Sequence, residues 1–420
     1  MKTYFKKTVP VALLALAAFA TRATPTDEFL AELARIDAGE GSPAALTALT
    51  NHLATAKPAP ADLAKCNAEL VKLLVATKQP DKAGALLVDE LVPSPAATSG
   101  LLLPALKKYA GSSDSAYNRQ CACLAALQAP AFAAKNADRA EALQLLAGIY
   151  IERSFCDLAI AKQDEAIACC GPDDTDLKVR LLFSAAKTAQ YMRRVDAAAK
   201  YFQQVQTMKG VPYATARRAL LLEGMNYIYI DQYDWIPDPE RLKKADELIN
   251  KAIDAKPSAI KNEDAYQARV TLMKAYHCAK SYQRSIEIGR SLVDAPPKTS
   301  GLPVAATALY LADVLTEAKQ FKLAIRYYER SLEGGGNMKN IHKKIGTAAR
   351  GAGDYARAIQ AYTDALPYCD WVEGKDEINT LKRMAATLSK AIRGKAKATS
   401  AEDLFSEESE EITNLQLDEL

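Results

Sequence analysis

The sequence is poor in histidine and tryptophan, with three His and two Trp among 420 residues. His52, His277 and His342 each fall in a helical stretch with no metal-ligating partner at i+4, which argues against a zinc site and a histidine-based catalytic triad. No Cys-x-x-Cys occurs. Cys121-x-Cys123 would point its thiols to different sides of a helix, so neither a redox dithiol nor haem attachment is supported. No Lys-Ser/Thr follows Gly334-Gly335-Gly336, which reads as a helix stop and not as a phosphate loop. The Asp residues around 231–238 lack the glycine turn and terminal Glu of a calcium loop. Basic residues are dispersed along the chain, which speaks against nucleic acid. Beyond residue 20 no stretch approaches eighteen uncharged apolar residues, so no membrane span is expected. These absences leave no cofactor, no metal and no enzymatic activity to expect.

What is present is ordinary globular material, 49% apolar and 25% charged, enough to bury a core. At the start, Lys2, Lys6 and Lys7 precede an apolar run from Val9 to Ala20, and Ala18-Phe19-Ala20 supplies a small-x-small cleavage site. Residues 1–23 are therefore expected to be a secretory signal peptide cut after Ala20 or Ala23. The Lys-Lys start with its compact Ala/Leu run has a bacterial look, and the expected destination is the periplasm or the medium. Eight cysteines would then meet an oxidising compartment. Most fall at apolar helical positions, where a thiol behaves as a small hydrophobe. The pairing best placed for a bridge is Cys156, read in a turn, with Cys169 or Cys170 at the next helix end.

A repeat organises the rest. Leu311-Ala312, Leu315, Phe321, Ala324-Ile325, Tyr328 and Leu332 recur 34 residues later as Ile345-Gly346, Ala349, Tyr355, Ala358-Ile359, Tyr362 and Leu366. Each copy holds two apolar runs at helical spacing, broken by polar turns at Glu317–Gln320 and Arg350–Asp354. Small residues (Ala312, Gly346, Ala324, Ala358) fall where two antiparallel helices would cross, and Phe321, Tyr328, Tyr355 and Tyr362 fill the space beside them. One such pair cannot cover both of its apolar faces, so the repeat implies a stack.

At Ile345, Gly346, Ala358, Tyr362 and Ala365 the second copy resembles the tetratricopeptide repeat, departing from its pattern at His342, Ala349 and Asp370; the first copy keeps Ala324 and Tyr328 but has Ala312 and Ser331. The resemblance implies an all-α fold, a right-handed α-solenoid of helical hairpins whose first helices line a concave side where peptides or partner helices lie. The second-helix marker falls at 159, 198, 245, 285, 324 and 358, and the excess over 34 lies in the joints. The chain then divides into degenerate hairpins over 24–135, a repeat array over 136–371, a capping helix over 372–393 and an acidic tail over 394–420. In the early region hairpins are proposed at Ala61–Thr77 with Asp81–Val92 and at Thr98–Ala110 with Asp114–Gln128. From Ala401 to Leu420 the tail has eight acids and neither Lys nor Arg, which reads as disorder.

On this register the groove positions are Arg180, Phe183, Lys187, Lys274, Leu309, Lys343 and Arg350, a mildly basic set. Without the tail's eight acids the chain's charge of +3 becomes +11, and without Lys2, Lys6, Lys7 and Arg22 it is +7. Protein or peptide partners are expected, acidic ones favoured by long-range attraction, and the function expected is that of an exported interaction scaffold or adaptor. Thr347 stands where the family's carboxylate-clamping Asn would be needed. An alternative from another class is a glycan-binding surface on Tyr229, Tyr233 and Trp235, since aromatic faces beside carboxylates stack on sugars. A further expectation from charge is that the tail folds back on the basic groove.

Overall fold

The computed structural model describes residues 24–39, 41–228, 238–254, 259–335, 337–369 and 374–395. The signal region, Tyr229, Tyr233, Trp235 and the acidic tail lie outside the described residues. Among the described residues nineteen α-helices and no strand are found. They run α1 Pro25–Gly39, α2 Ser42–Ala56, α3 Pro60–Ala76, α4 Pro80–Leu86 with a π turn Leu87–Leu91, α5 Ser99–Ala110, α6 Ala116–Gln128, α7 Ala137–Glu152, α8 Cys156–Cys169, α9 Thr175–Tyr191 and α10 Val195–Thr207. Then come α11 Tyr213–Tyr227, α12 Pro239–Ile253, α13 Asn262–Cys278, α14 Tyr282–Asp294, α15 Val304–Glu317, α16 Phe321–Leu332, α17 Met338–Gly351, α18 Tyr355–Ala365 and α19 Gly374–Lys395. Each odd-numbered helix from α1 to α17 packs on the even one after it, giving nine hairpins. No described helix is long and apolar enough to cross a membrane.

The hairpins group into two compact units, Met1–Val211 and Pro212–Leu420, divided at the Gly210-Val211-Pro212 joint. Each unit is an α-solenoid of stacked, tetratricopeptide-like hairpins. The reason lies in one residue per hairpin. The predicted markers Ala159, Ala198, Ala245, Ser285, Ala324 and Ala358 are all fully buried. So are Ala45, Ala83 and Ala122 in α2, α4 and α6, which extend the same register back through the early region in steps of 38, 39 and 37. A methyl or hydroxymethyl group at the crossing lets the two backbones approach, and the space beside it is filled by large side chains. In the last hairpin the approach is so close that a Cβ at Gly346 would sit 2.5 Å from the Tyr362 ring. A Cβ at Gly224 of α11 would similarly meet Ile249 of α12 at 2.8 Å.

The turn inside the hairpin is also repeated. Lys78, Ser154, Arg193, Lys280, Lys319 and Gly353 have φ between +58° and +75°, and each stands five residues before its buried marker. The next residue's N–H returns to the carbonyl five residues back: Phe155 to Tyr150 at 2.7 Å, Gln320 to Leu315 at 2.8 Å and Asp354 to Ala349 at 2.9 Å. This is the Schellman closure, which satisfies the last carbonyls of the first helix and fixes where the second begins. Side-chain caps add to it where the sequence supplies them: Asn136, Asp238, Asn337 and Asp354 accept backbone N–H groups of the helices they precede.

The stack ends on α19, whose Leu381, Met384 and Leu388 are buried against Ala358, Tyr362 and Ala365 while Lys382, Arg383 and Lys390 face solvent. The expected bridge from Cys156 to Cys169 or Cys170 is corrected here. Cys156 opens α8 and Cys169 closes it, so a rise of 1.5 Å per residue separates them by about 20 Å, far beyond disulfide reach. All three thiols are free, and burial pushes those of Cys169 and Cys170 above their ordinary pKa.

A left-handed conformation is costly for a residue with a Cβ and almost free for glycine. Lys319→Gly is therefore expected to stabilise the protein by about 0.5–1 kcal/mol, and Gly353→Lys to destabilise it by a similar amount. Urea unfolding measures both; a Lys319→Gly midpoint at or below that of the parent would contradict this account of the turn.

Candidate functional site

In the second unit a hollow of about 700 Å³ opens on the face made by the first helices α13, α15 and α17 and the capping helix α19. The second helices spend their apolar sides on packing, whereas the first helices keep one side open, and the hollow forms there. Tyr328 and Tyr362 from α16 and α18 and Leu381 and Met384 of α19 lie at its floor, each nearly fully buried.

The polar lining repeats at the 34-residue period. Tyr328 donates to Asp313 Oδ1 at 2.7 Å, and one repeat later the hydroxyls of Tyr362 and Thr347 meet at 3.4 Å. Asp313 also accepts both bonds of a bidentate pair with Lys344 Nζ, at 2.7 and 2.8 Å. Burial pushes the Tyr328 and Tyr362 phenols above their ordinary pKa, so both stay neutral donors across the physiological range. At the other end His277 Nδ1 and the Tyr310 hydroxyl are 2.7 Å apart, and His277 Nε2 lies 3.0 Å from Glu317 Oε2 without the alignment of a hydrogen bond. Burial alone would raise the Glu317 carboxyl; His277, Tyr282 and Lys280 outweigh it and hold it below the ordinary value. Lys274 extends its ammonium over the Tyr310 ring, 5.3 Å from the centroid.

Of the residues read from the sequence as groove positions, Lys343 lines this hollow and is 6% exposed, while Lys274 stands beside it on Tyr310. Arg350 is half-buried on the same helix as Lys343, near enough for its charge to act on Tyr362. Leu309 packs against the apolar core of α15 and α16. The other three belong to the first unit. Arg180 lines a smaller hollow of about 250 Å³ with Lys107 and Glu141, Phe183 packs its ring 6.1 Å from Phe202 of its hairpin partner, and Lys187 is exposed on α9. His277, Tyr310, Asp313, Glu317 and Lys344 line the hollow without being among the groove positions expected from the register. The signal available for Asp313 was the period itself, since 34 residues carry it onto Thr347 opposite the next tyrosine.

The lining presents the exposed Asn340 amide, the Thr347 hydroxyl, the half-buried Tyr310 and the Lys344 ammonium held by Asp313, over a floor in which Lys343, Tyr328, Tyr362, Leu381 and Met384 are buried, with Lys274 beside it on Tyr310. It can hold an extended segment by hydrogen bonding and contact with Tyr310. Among the described residues no group of three His, Cys, Asp or Glu is placed to hold a metal. In the first unit Glu141 accepts from Lys107 and from Arg180, the latter at 3.3 Å. Burial opposes its ionisation, but the two cations prevail and hold its carboxyl below the ordinary range. A depressed folded-state pKa gives stability that is complete above the unfolded value of about 4.3 and lost as pH falls through the folded one. The stability difference between the parent and Glu141→Gln should thus be full at pH 7 and shrink as acidification carries the pH below about 4.3 and through the folded-state value; a difference that does not change on acidification would show that ionisation of Glu141 contributes nothing.

No protein-family model matches the chain, and no curated protein does. Among solved structures, the apo form of RapI aligns at 11% identity over 82% of this chain and 97% of its own, with a TM-score of 0.46. The TPR domain of P58(IPK) aligns at 13% identity over 87% and 99%, with a TM-score of 0.29. A STAND signal-transduction ATPase with a tetratricopeptide-repeat sensor, from Pyrococcus horikoshii, aligns at 14% identity over 79% and 54%, with a TM-score of 0.35. Likeness this distant decides nothing about function. The tetratricopeptide-like character of the hairpins stands on their own features, which are the buried marker, the Schellman turn and the 34-residue period in the last two.

Proposed function

We propose that the protein is an interaction scaffold that binds extended protein segments on the first-helix face of its second unit, and that it works outside the cytoplasm. The observation that supports the binding site is the hollow itself, where Lys344 and Asn340 stand with Tyr310 and Thr347 over a buried apolar floor. That mixture suits a segment whose acidic side chains alternate with apolar or aromatic ones. The hydrophobic part contributes area and the carboxylates contribute orientation and encounter rate. Its dimensions lie within the range of pockets that take a few side chains at a time. Export is supported by Lys2, Lys6 and Lys7 ahead of the Val9–Ala20 apolar run.

A peptide array of matched length, with acidic-aromatic, basic-aromatic and acidic-only members, tests the binding reading. The acidic-aromatic peptides should bind best, and Lys274→Glu should weaken them about fivefold at low salt, an effect erased near 0.5 M salt. Equal binding of basic and acidic members would overturn the reading. Export is tested on the natural protein in its own cells: mass spectrometry of the envelope or medium fraction should find a chain beginning at Thr21 or Thr24, and an intact Met1 start confined to the cytosol would rule it out.

A further inference from the structure

Three observations converge on the C-terminal end of the second unit. The first is charge. Helix α17 carries Lys339, Lys343, Lys344 and Arg350 and no acid, and α19 carries Lys375, Lys382, Arg383, Lys390, Arg393 and Lys395 against the two acids Asp376 and Glu377 of its first turn. These are the two helices that wall the hollow at that end. The second is the composition of the chain that follows α19. Ala401–Leu420 has eight acids and no base, set around Leu404-Phe405, Ile412, Leu415 and Leu417. That is the acidic-apolar mixture the hollow suits.

The third is reach. Met384 lines the hollow, and α19 ends at Lys395. The eleven residues between them rise about 17 Å along the helix. The seven residues from Lys395 to Glu402 span up to about 23 Å when extended, enough to bring the first acids back past Met384. Every later residue of the tail has more slack.

We propose that, without a partner, the mouth of the hollow is covered in cis by the chain's own acidic segment Ala401–Leu420, its carboxylates toward the bases that α17 and α19 present at that end. This rests on the reading of the hollow as a peptide site and adds its regulation. A tethered ligand competes at an effective concentration set by its linker, near the millimolar range for a short one. It therefore sets a threshold that an external segment must exceed.

The experiment compares the full mature chain with one ending at Lys397, a truncation that removes none of the described helices. The probe is a synthetic acidic-aromatic peptide followed by fluorescence polarisation. The truncated chain should bind it about tenfold more tightly at low ionic strength, with the gap closing in 0.5 M salt. A photo-crosslinking residue placed at Phe405 of the full chain should label peptides containing Leu381, Met384 or Lys343 of the same molecule. If the truncated chain binds the probe with the same affinity as the full chain, the tail does not compete and this inference falls while the peptide site stands. If neither chain binds the probe, both fall. Crosslinks that join two copies, or that land away from the hollow, would overturn docking in cis.

Discussion

Everything in this fold depends on two helices coming close enough to touch along their backbones. The buried alanine or serine of each second helix makes that possible, because any larger group there would hold the pair apart and break the match with the next hairpin. Gly346 shows how close the approach can be, with Tyr362 lying where its side chain would be. The interaction is local and repeated, so its strength does not depend on the length of the chain. Each hairpin needs only the one before and the one after. Insertions between hairpins therefore cost little, which is how steps between 34 and 47 residues coexist with one crossing geometry.

The same constraint divides the labour between the two helices of a pair. Second helices are held by their partners and tied to neighbours by phenol-carboxylate bonds. Tyr201 of α10 donates to Asp164 of α8 at 2.8 Å, and Tyr327 of α16 donates to Asp294 of α14 at 2.9 Å. Arg284 of α14 adds a two-bond grip on Asp246 of α12 at 3.0 and 3.2 Å. These bonds help set the register of one hairpin on the next, most strictly at Asp246, a carboxylate removed from water that must find its donors. The first helices are under no such demand on their open side. Side chains there are at liberty to vary from repeat to repeat, so the hollow can be chemically particular while the stack beneath it stays regular.

Much of this was legible in the residues, and the limits have physical causes. The last two hairpins announced themselves because Phe321, Tyr355, Tyr328 and Tyr362 are rare enough to make a period visible. The early hairpins keep the same buried position at Ala45, Ala83 and Ala122, yet their surroundings are rich in alanine, and a marker identical to its background carries no signal. The helices there were placed well; their register was not. The Schellman turns escaped notice because five of the six use Lys, Ser or Arg where glycine would have marked the left-handed residue. The repeat register gives groove positions one helix at a time and does not tell that Phe183 turns toward Phe202 or that Asp313 is paired with a lysine 31 residues away. Pairings across hairpins depend on how neighbours stack, and a single helix does not contain that information.

The charge of the hollow bears on what it would select. Its lysines are not a uniform positive field, because Asp313 neutralises Lys344 and Glu317 stands beside His277 and Lys280. A run of consecutive acids would set some of its carboxylates against these two, at a cost that grows as water is excluded. A segment that breaks its acids into short groups with apolar residues between them lessens the repulsion. Selectivity on this face would then come from the pattern of a ligand more than from its net charge, because the carboxylates already in place penalise charge that arrives in the wrong register.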